Sequence, residues 1–200
     1  MSYDWERPKS KRDQFLDKLK EKPKRLHLVI AIIVGLVLVV IIYLFIFKPV
    51  DNYLRDLSNL GLMDLLFSWT SDRVDYIFSA WQADGIFREF ITTIIDFPFI
   101  LCYCIVLSGL VLLVARKLHD KFQRIEMHMV FIPILAGIFD ITENIFLLIM
   151  LGSNQAVGFL FPLITSICAL IKFILIYTGI ICFLAGVVGI ILYHYEILEF

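Results

Sequence analysis

Asp140, Glu143 and Asn144 lie inside Val130–Leu151, a stretch that is otherwise apolar and long enough to cross a bilayer. Their i, i+3 and i+4 spacing puts all three on one face of a helix. Two carboxylates and an amide in a hydrocarbon core are costly. Such groups face a bundle interior, pair with one another or mark a pathway or site. Two further apolar stretches each carry one ionisable group, Asp96 and Lys172. Three acids then face one lysine. An excess of negative charge in a low-dielectric interior requires a proton on at least one carboxyl, or a bound cation. Asp96, nearest to water, is expected to stay ionised. Asp140 and Glu143 are expected to share protonation, with Lys172 as counter-charge. That arrangement suits acid–base chemistry or proton coupling.

The elements that position these groups follow from hydropathy. The chain is 60% hydrophobic, beyond the range of ordinary soluble domains. Charge is concentrated in residues 1–25, 48–91 and 115–128. The predicted fold is all-α, a four-span membrane bundle with a helical outer cap. Its parts are a basic tail (1–25), spans at 26–47, 92–115, 129–151 and 159–193, the cap (48–91), a loop (116–128), a short link (152–158) and the C-terminus (194–200). The first apolar run is too long for a signal-peptide core, and Lys48-Pro49-Val50 follows it instead of a cleavage site, so it reads as a retained helix. Residues 1–25 hold nine Lys/Arg against five Asp/Glu, whereas 48–91 hold four against seven. The positive-inside rule then places both termini and the 116–128 loop in the cytoplasm, and the cap and link outside.

At about 1.5 Å of rise per residue, Asp96, Glu143, Asp140 and Lys172 fall roughly 8, 12, 16 and 15 Å in from the outer ends of their spans. One shared cluster is therefore expected. Thr92, Asp96 and Tyr103 share a face of the second span. Pro133, Ala136 and Gly137 extend the acidic stripe of the third with residues that let helices approach closely. Thr165, Lys172, Gly179 and Gly186 recur every seven residues in the fourth, a seam expected to pack inward. Pro98 removes a backbone donor close to Asp96. It either opens a polar notch there or sits at a helix start, where it costs little.

The outer segment is too short for a core of its own. Thr70-Ser71-Asp72 predicts a helix start. Val74, Ile77, Phe78 and Trp81 recur at helical spacing, and Gly85 is the expected stop. Trp69, Tyr76 and Trp81 are expected at headgroup level. Ser10–Glu21 carries Phe15, Leu16 and Leu19 among lysines. It reads either as a short interfacial helix on anionic inner-leaflet lipid or as a solvated tail.

Several chemistries find no support. Cys102, Cys104, Cys168 and Cys182 lie within spans and form no CxxC. The four histidines show no metal-binding spacing, so no metal site is indicated. The sequence has no nucleophile elbow, P-loop or dinucleotide fingerprint, and no cofactor is indicated. A net charge of −1 gives no reason to expect nucleic acid.

Leu62-Met63-Asp64, Ser71–Trp81, Arg88, D-x-P at Asp96–Pro98, F-D-x-x-E-N at Phe139–Asn144 and the single Lys172 together resemble a group of uncharacterised four-helix prokaryotic membrane proteins. The resemblance runs from about Leu57 to Thr178 and implies topology and site location, with no activity. The acid-then-proline pattern of Ile95–Phe99, preceded by a cap, is similar to the EXPERA family of sterol isomerases and sigma-2 receptors. Lys172 and the D-x-x-E-N spacing are not part of that second pattern. That likeness implies a cavity for a lipid-like ligand.

Three functions stay open on these residues. Asp96, Asn144, Lys172, Tyr103 and Thr165 line a pocket for an amphipathic lipid or isoprenoid, with Glu143 or Asp140 as acid/base. Alternatively, the same cluster relays protons or a cation in a homo-oligomer, since four short helices scarcely enclose a path. Or it is a polar lock in a structural or assembly subunit.

Overall fold

The computed structural model describes residues 18–118, 120–155 and 157–194, and all of its regular structure is helical. Helix α1 (Arg25–Ile42) passes through a π-helical turn at Tyr43–Phe47 into α2 (Lys48–Ser58). Nothing in this run breaks a helix. Pro49 falls in the first turn of α2, where a missing N–H is tolerated. Asn59, in the left-handed conformation at φ 59°, ends it. A short α3 (Leu62–Leu66) follows, its start held by Asp64 Oδ2, which accepts from the Gly61 N–H at 2.8 Å. Then come α4 (Ser71–Ala115), α5 (Asp120–Met129), α6 (Ile132–Ser153) and α7 (Leu160–His194).

Four helical stretches are long and apolar enough to cross a membrane: Arg25–Ser58, Ser71–Ala115, Phe122–Ser153 and Leu160–Tyr193. Helices α4, α6 and α7 pack on one another, and α1 packs on α4. Small residues set these contacts. A Cβ on Gly35 of α1 would lie 3.3 Å from the Cys102 carbonyl oxygen of α4, and one on Gly109 would lie 2.7 Å from Ile32 of α1. On α7 the seven-residue seam faces inward throughout, with Thr165, Lys172, Gly179 and Gly186 all buried. On α6 the stripe Pro133, Ala136, Gly137, Asp140, Glu143 and Asn144 is buried as well.

The 48–91 segment has no core of its own. Leu54, Leu65, Val74, Ile77, Phe78 and Trp81 pack into one cluster with Leu147, Met150 and Leu151 of α6 and Ala169 of α7. The cap is thereby an extension of the bundle. Helix α4 begins where the sequence places a start, with the Thr70 hydroxyl accepting from the Arg73 N–H at 3.4 Å.

Three details differ from expectation. The break comes at Gln82 (φ 57°, ψ 178°) rather than at Gly85. Gly85 is needed for closeness: a Cβ there would meet Leu54 and the Trp81 Cβ at 3.0 Å. Trp81 is not on the surface of the bundle. It is fully buried, with Nε1 donating to the Leu60 carbonyl at 3.0 Å, whereas Trp69 and Tyr76 are exposed. Pro98 is not at a helix start either, since α4 continues through it. Its ring lies on the exposed face, away from the buried Thr92, Thr93 and Tyr103.

At the other end, Arg116 gathers the chain ahead of α1. Its Nε and Nη2 donate to the Leu19 carbonyl at 3.0 and 2.7 Å, and its Nη1 to that of Pro23 at 2.8 Å. Most of the tail expected to form an interfacial helix, and the C-terminal residues 195–200, lie outside the described residues.

Candidate functional site

The polar groups of the three apolar helices α4, α6 and α7 meet in one cluster. Lys172 comes from α7 and reaches α6, where Nζ donates to Asp140 Oδ1 and to Glu143 Oε1, each at 2.7 Å. Asp140 accepts a second bond through Oδ2, from the Tyr103 hydroxyl of α4 at 2.9 Å. Beside this group, Asn144 Nδ2 donates to Asp96 Oδ2 at 2.7 Å, joining α6 to α4. Asp140, Glu143, Asn144 and Lys172 are each no more than 7% exposed. Buried charges persist in such settings only when paired and hydrogen-bonded. The i, i+3 spacing of Asp140 and Glu143 allows one ammonium to bridge both.

The set is not closed. Glu143 is 1% exposed, and its Oε2 has no hydrogen-bond partner among the described residues. Asp140 has both oxygens occupied and Glu143 only one.

These groups form the floor of a cavity of about 290 Å³. Asp96, Tyr103, Asp140, Glu143, Asn144 and Lys172 all line it. Leu62, Met63 and Leu66 of α3 line it from one side, and Tyr43 and Phe47 of the π turn from another. Phe47 packs on Phe99 at 4.8 Å between ring centroids, and Phe99 on Tyr103 at 5.9 Å. An aromatic ladder thus runs from the first long apolar helix to the hydroxyl that holds Asp140. Tyr43 is 52% exposed, and Ile176, across the cavity on α7, is partly exposed, so this wall reaches the outside of the bundle.

Two site residues differ from the sequence reading. Thr165 is fully buried but does not line the cavity, and its hydroxyl has no partner among the described residues. It sits two turns from Lys172, next to Ser166, whose Oγ accepts from the Trp69 N–H at 3.1 Å beneath the cap. Glu89, counted with the 48–91 cap and not with the site, is 2% exposed and lines the cavity with Thr92 and Thr93. The signal for it was present. Glu89, Asp96 and Tyr103 are seven residues apart, the period of an inward seam.

The floor can hold or donate a proton, accept hydrogen bonds and order the polar end of an apolar molecule. Among the described residues no group of His, Cys, Asp and Glu is arranged to hold a metal ion. Compared with known proteins, the chain matches no family model, no curated protein and no solved structure.

Proposed function

We propose that the protein is an integral membrane protein that binds an amphipathic, lipid-like molecule, with its polar end on the Lys172–Asp140–Glu143 floor. The observation that carries this reading is a buried, charged floor opening into an apolar cavity with an aromatic wall at the bundle surface. Ligand sites combine an apolar lining with a few convergent polar groups in this way. The ligand enters from the bilayer, between the π turn and α7, because α3 covers the outer end. Glu143 is the group placed to exchange a proton with it, since its Oε2 is uncommitted. Lys172 sets the charge of the pair and Asn144 orients Asp96. Both termini and the 116–128 connection are cytoplasmic in this reading, on the Lys/Arg bias of those segments.

A polar lock is the second reading, favoured by the one ammonium that ties α7 to two carboxylates of α6. Lipidomic mass spectrometry on gently purified wild type and Glu143→Gln separates the two. A specific amphiphile retained by wild type and lost from an equally stable Glu143→Gln supports the pocket. Bulk lipid alone on two equally folded samples removes it and leaves the lock.

A further inference from the structure

The hydrogen-bond ledger of the cavity is one-sided. The donor groups at the floor already have acceptors inside the protein, with one N–H each of Lys172 and Asn144 to spare. Lys172 donates to Asp140 and Glu143, Tyr103 to Asp140, and Asn144 to Asp96. The hydroxyls of Thr92 and Thr93 donate to the Arg88 and Glu89 carbonyls, each at 2.9 Å. The acceptors are in excess even with a proton shared among the carboxyls, since each carboxyl oxygen keeps acceptor capacity. Four carboxyl groups (Glu89, Asp96, Asp140 and Glu143) line the cavity against one ammonium. Of these, Glu143 is almost wholly buried and has an oxygen with no partner. A buried acceptor without a donor costs about 1–3 kcal/mol, more when charged. A molecule that brings donors relieves that cost, whereas one that brings only acceptors or negative charge adds to it.

Size narrows the class further. The cavity, about 290 Å³, lies at the small end of ligand pockets. It takes a small polar head and the start of one chain. Two acyl chains do not fit, and the remainder of a single chain is left to run out past Tyr43 into the bilayer.

Resting on the pocket reading, we propose that the ligand is a single-chain amphiphile whose head is a hydrogen-bond donor, a hydroxyl or an amine, and that Glu143 and Glu89 are its acceptors. Carboxylate and phosphate heads are rejected. Fatty acids and prenyl phosphates are therefore poor ligands even though their chains fit the same wall.

Four probes with one chain and different heads test this: dodecanol, dodecylamine, dodecanoate and dodecyl phosphate. The full-length protein in nanodiscs is equilibrated with each, and the retained probe is read by native mass spectrometry. Dodecanol or dodecylamine is expected to bind one per chain, at least about tenfold more tightly than either anionic probe. Glu89→Gln, which keeps the side-chain volume and leaves the Lys172 bridge intact, is expected to weaken the better probe severalfold. Equal or tighter binding of dodecanoate or dodecyl phosphate overturns the donor-head assignment and leaves the pocket standing. Retention of none of the four by stable wild type overturns the pocket itself. An unchanged affinity in a folded Glu89→Gln removes Glu89 from the acceptor set, with Glu143→Gln then the deciding variant. If it too binds with wild-type affinity, the assignment fails.

Discussion

Lys172→Met removes the one positive charge in the cavity and keeps most of its volume. The consequence can be worked from the geometry. Asp140 and Glu143 each lose a bond of 2.7 Å, while Tyr103 still donates to Asp140 and nothing replaces the donor to Glu143. Breaking a buried pair by removing one partner costs about 3–5 kcal/mol, because the other charge stays buried and uncompensated. For a chain of this size each kcal/mol moves the midpoint by about 2–4 °C, which predicts a fall of about 6–20 °C in thermal unfolding in a mild detergent. The triple variant Lys172→Met, Asp140→Asn, Glu143→Gln discharges the whole floor. It is expected to recover most of the loss, since neutral replacement of a buried ion set is often harmless. The comparison also separates the two proposed functions. A lock that only fixes helix register tolerates the triple variant with full activity, whereas a ligand floor gives a stable protein that no longer retains its amphiphile. If Lys172→Met alone unfolds within 2 °C of wild type, the bridge contributes little and the charge argument for the site is wrong.

Three further outcomes are expected. Tyr103→Phe removes one donor to Asp140 without opening a void, and a loss of about 1.5–3 kcal/mol, the value of a bond to a charged group, should appear in denaturant unfolding. Gly109→Leu forces side-chain atoms into Ile32 of α1 and should destabilise the contact between the first and second membrane helices by about 1–3 kcal/mol, detectable as faster proteolysis at 59–61. Trp81→Ala empties the centre of the cap cluster and leaves the Leu60 carbonyl with only the longer bond from the Ser58 hydroxyl, at 3.3 Å. A loss of about 3–5 kcal/mol is expected in thermal unfolding, and a shift under 1 kcal/mol would mean the cap folds without that core.

Much of the bundle and of its polar floor is legible in the sequence because both rest on period. Asp140, Glu143 and Asn144 announce a buried stripe by falling three and four residues apart in an apolar run. The α7 seam does so by recurring every seventh residue, and each period survives into the packed structure. What was not legible depends on where the membrane-facing run is taken to begin. Reading the second span from its first uncharged residue put Glu89 in the 48–91 cap. Yet α4 carries it inward on the same seam as Asp96 and Tyr103, because the helical stretch past the Gln82 break starts before the apolar boundary. Thr165 shows the converse error: it shares the seam of Lys172, but two turns outward the neighbour is the cap, so the cavity does not reach it. The π turn at Tyr43–Phe47 has no signature in composition. It is recognised only from the backbone, at the position where α1 meets the cavity wall.

The lock and the pocket use the same atoms, so the difference between them lies in what is left over. A register lock is complete when every buried polar atom has its partner, and the pairing of Lys172 with two carboxylates looks like such a device. Among the described residues five buried side-chain atoms lack a partner, and within the set of Lys172, Asp140 and Glu143 completion fails at one of them. Glu143 Oε2 is buried without a donor, in a wall where Asp96 and Glu89 add two more carboxyls and no further base. A sequence selected only for stability would be improved by Gln at 143, whose amide could still accept from Lys172 and would lower the negative charge of the floor. Glu143→Gln is therefore the informative substitution for stability as well as for ligand. If the variant is more stable than wild type and empties the pocket, the uncompensated carboxylate is a functional expense. If it is less stable by about 3 kcal/mol or more, the second charge on Lys172 is what holds α6 to α7, and the lock accounts for Glu143 without a ligand.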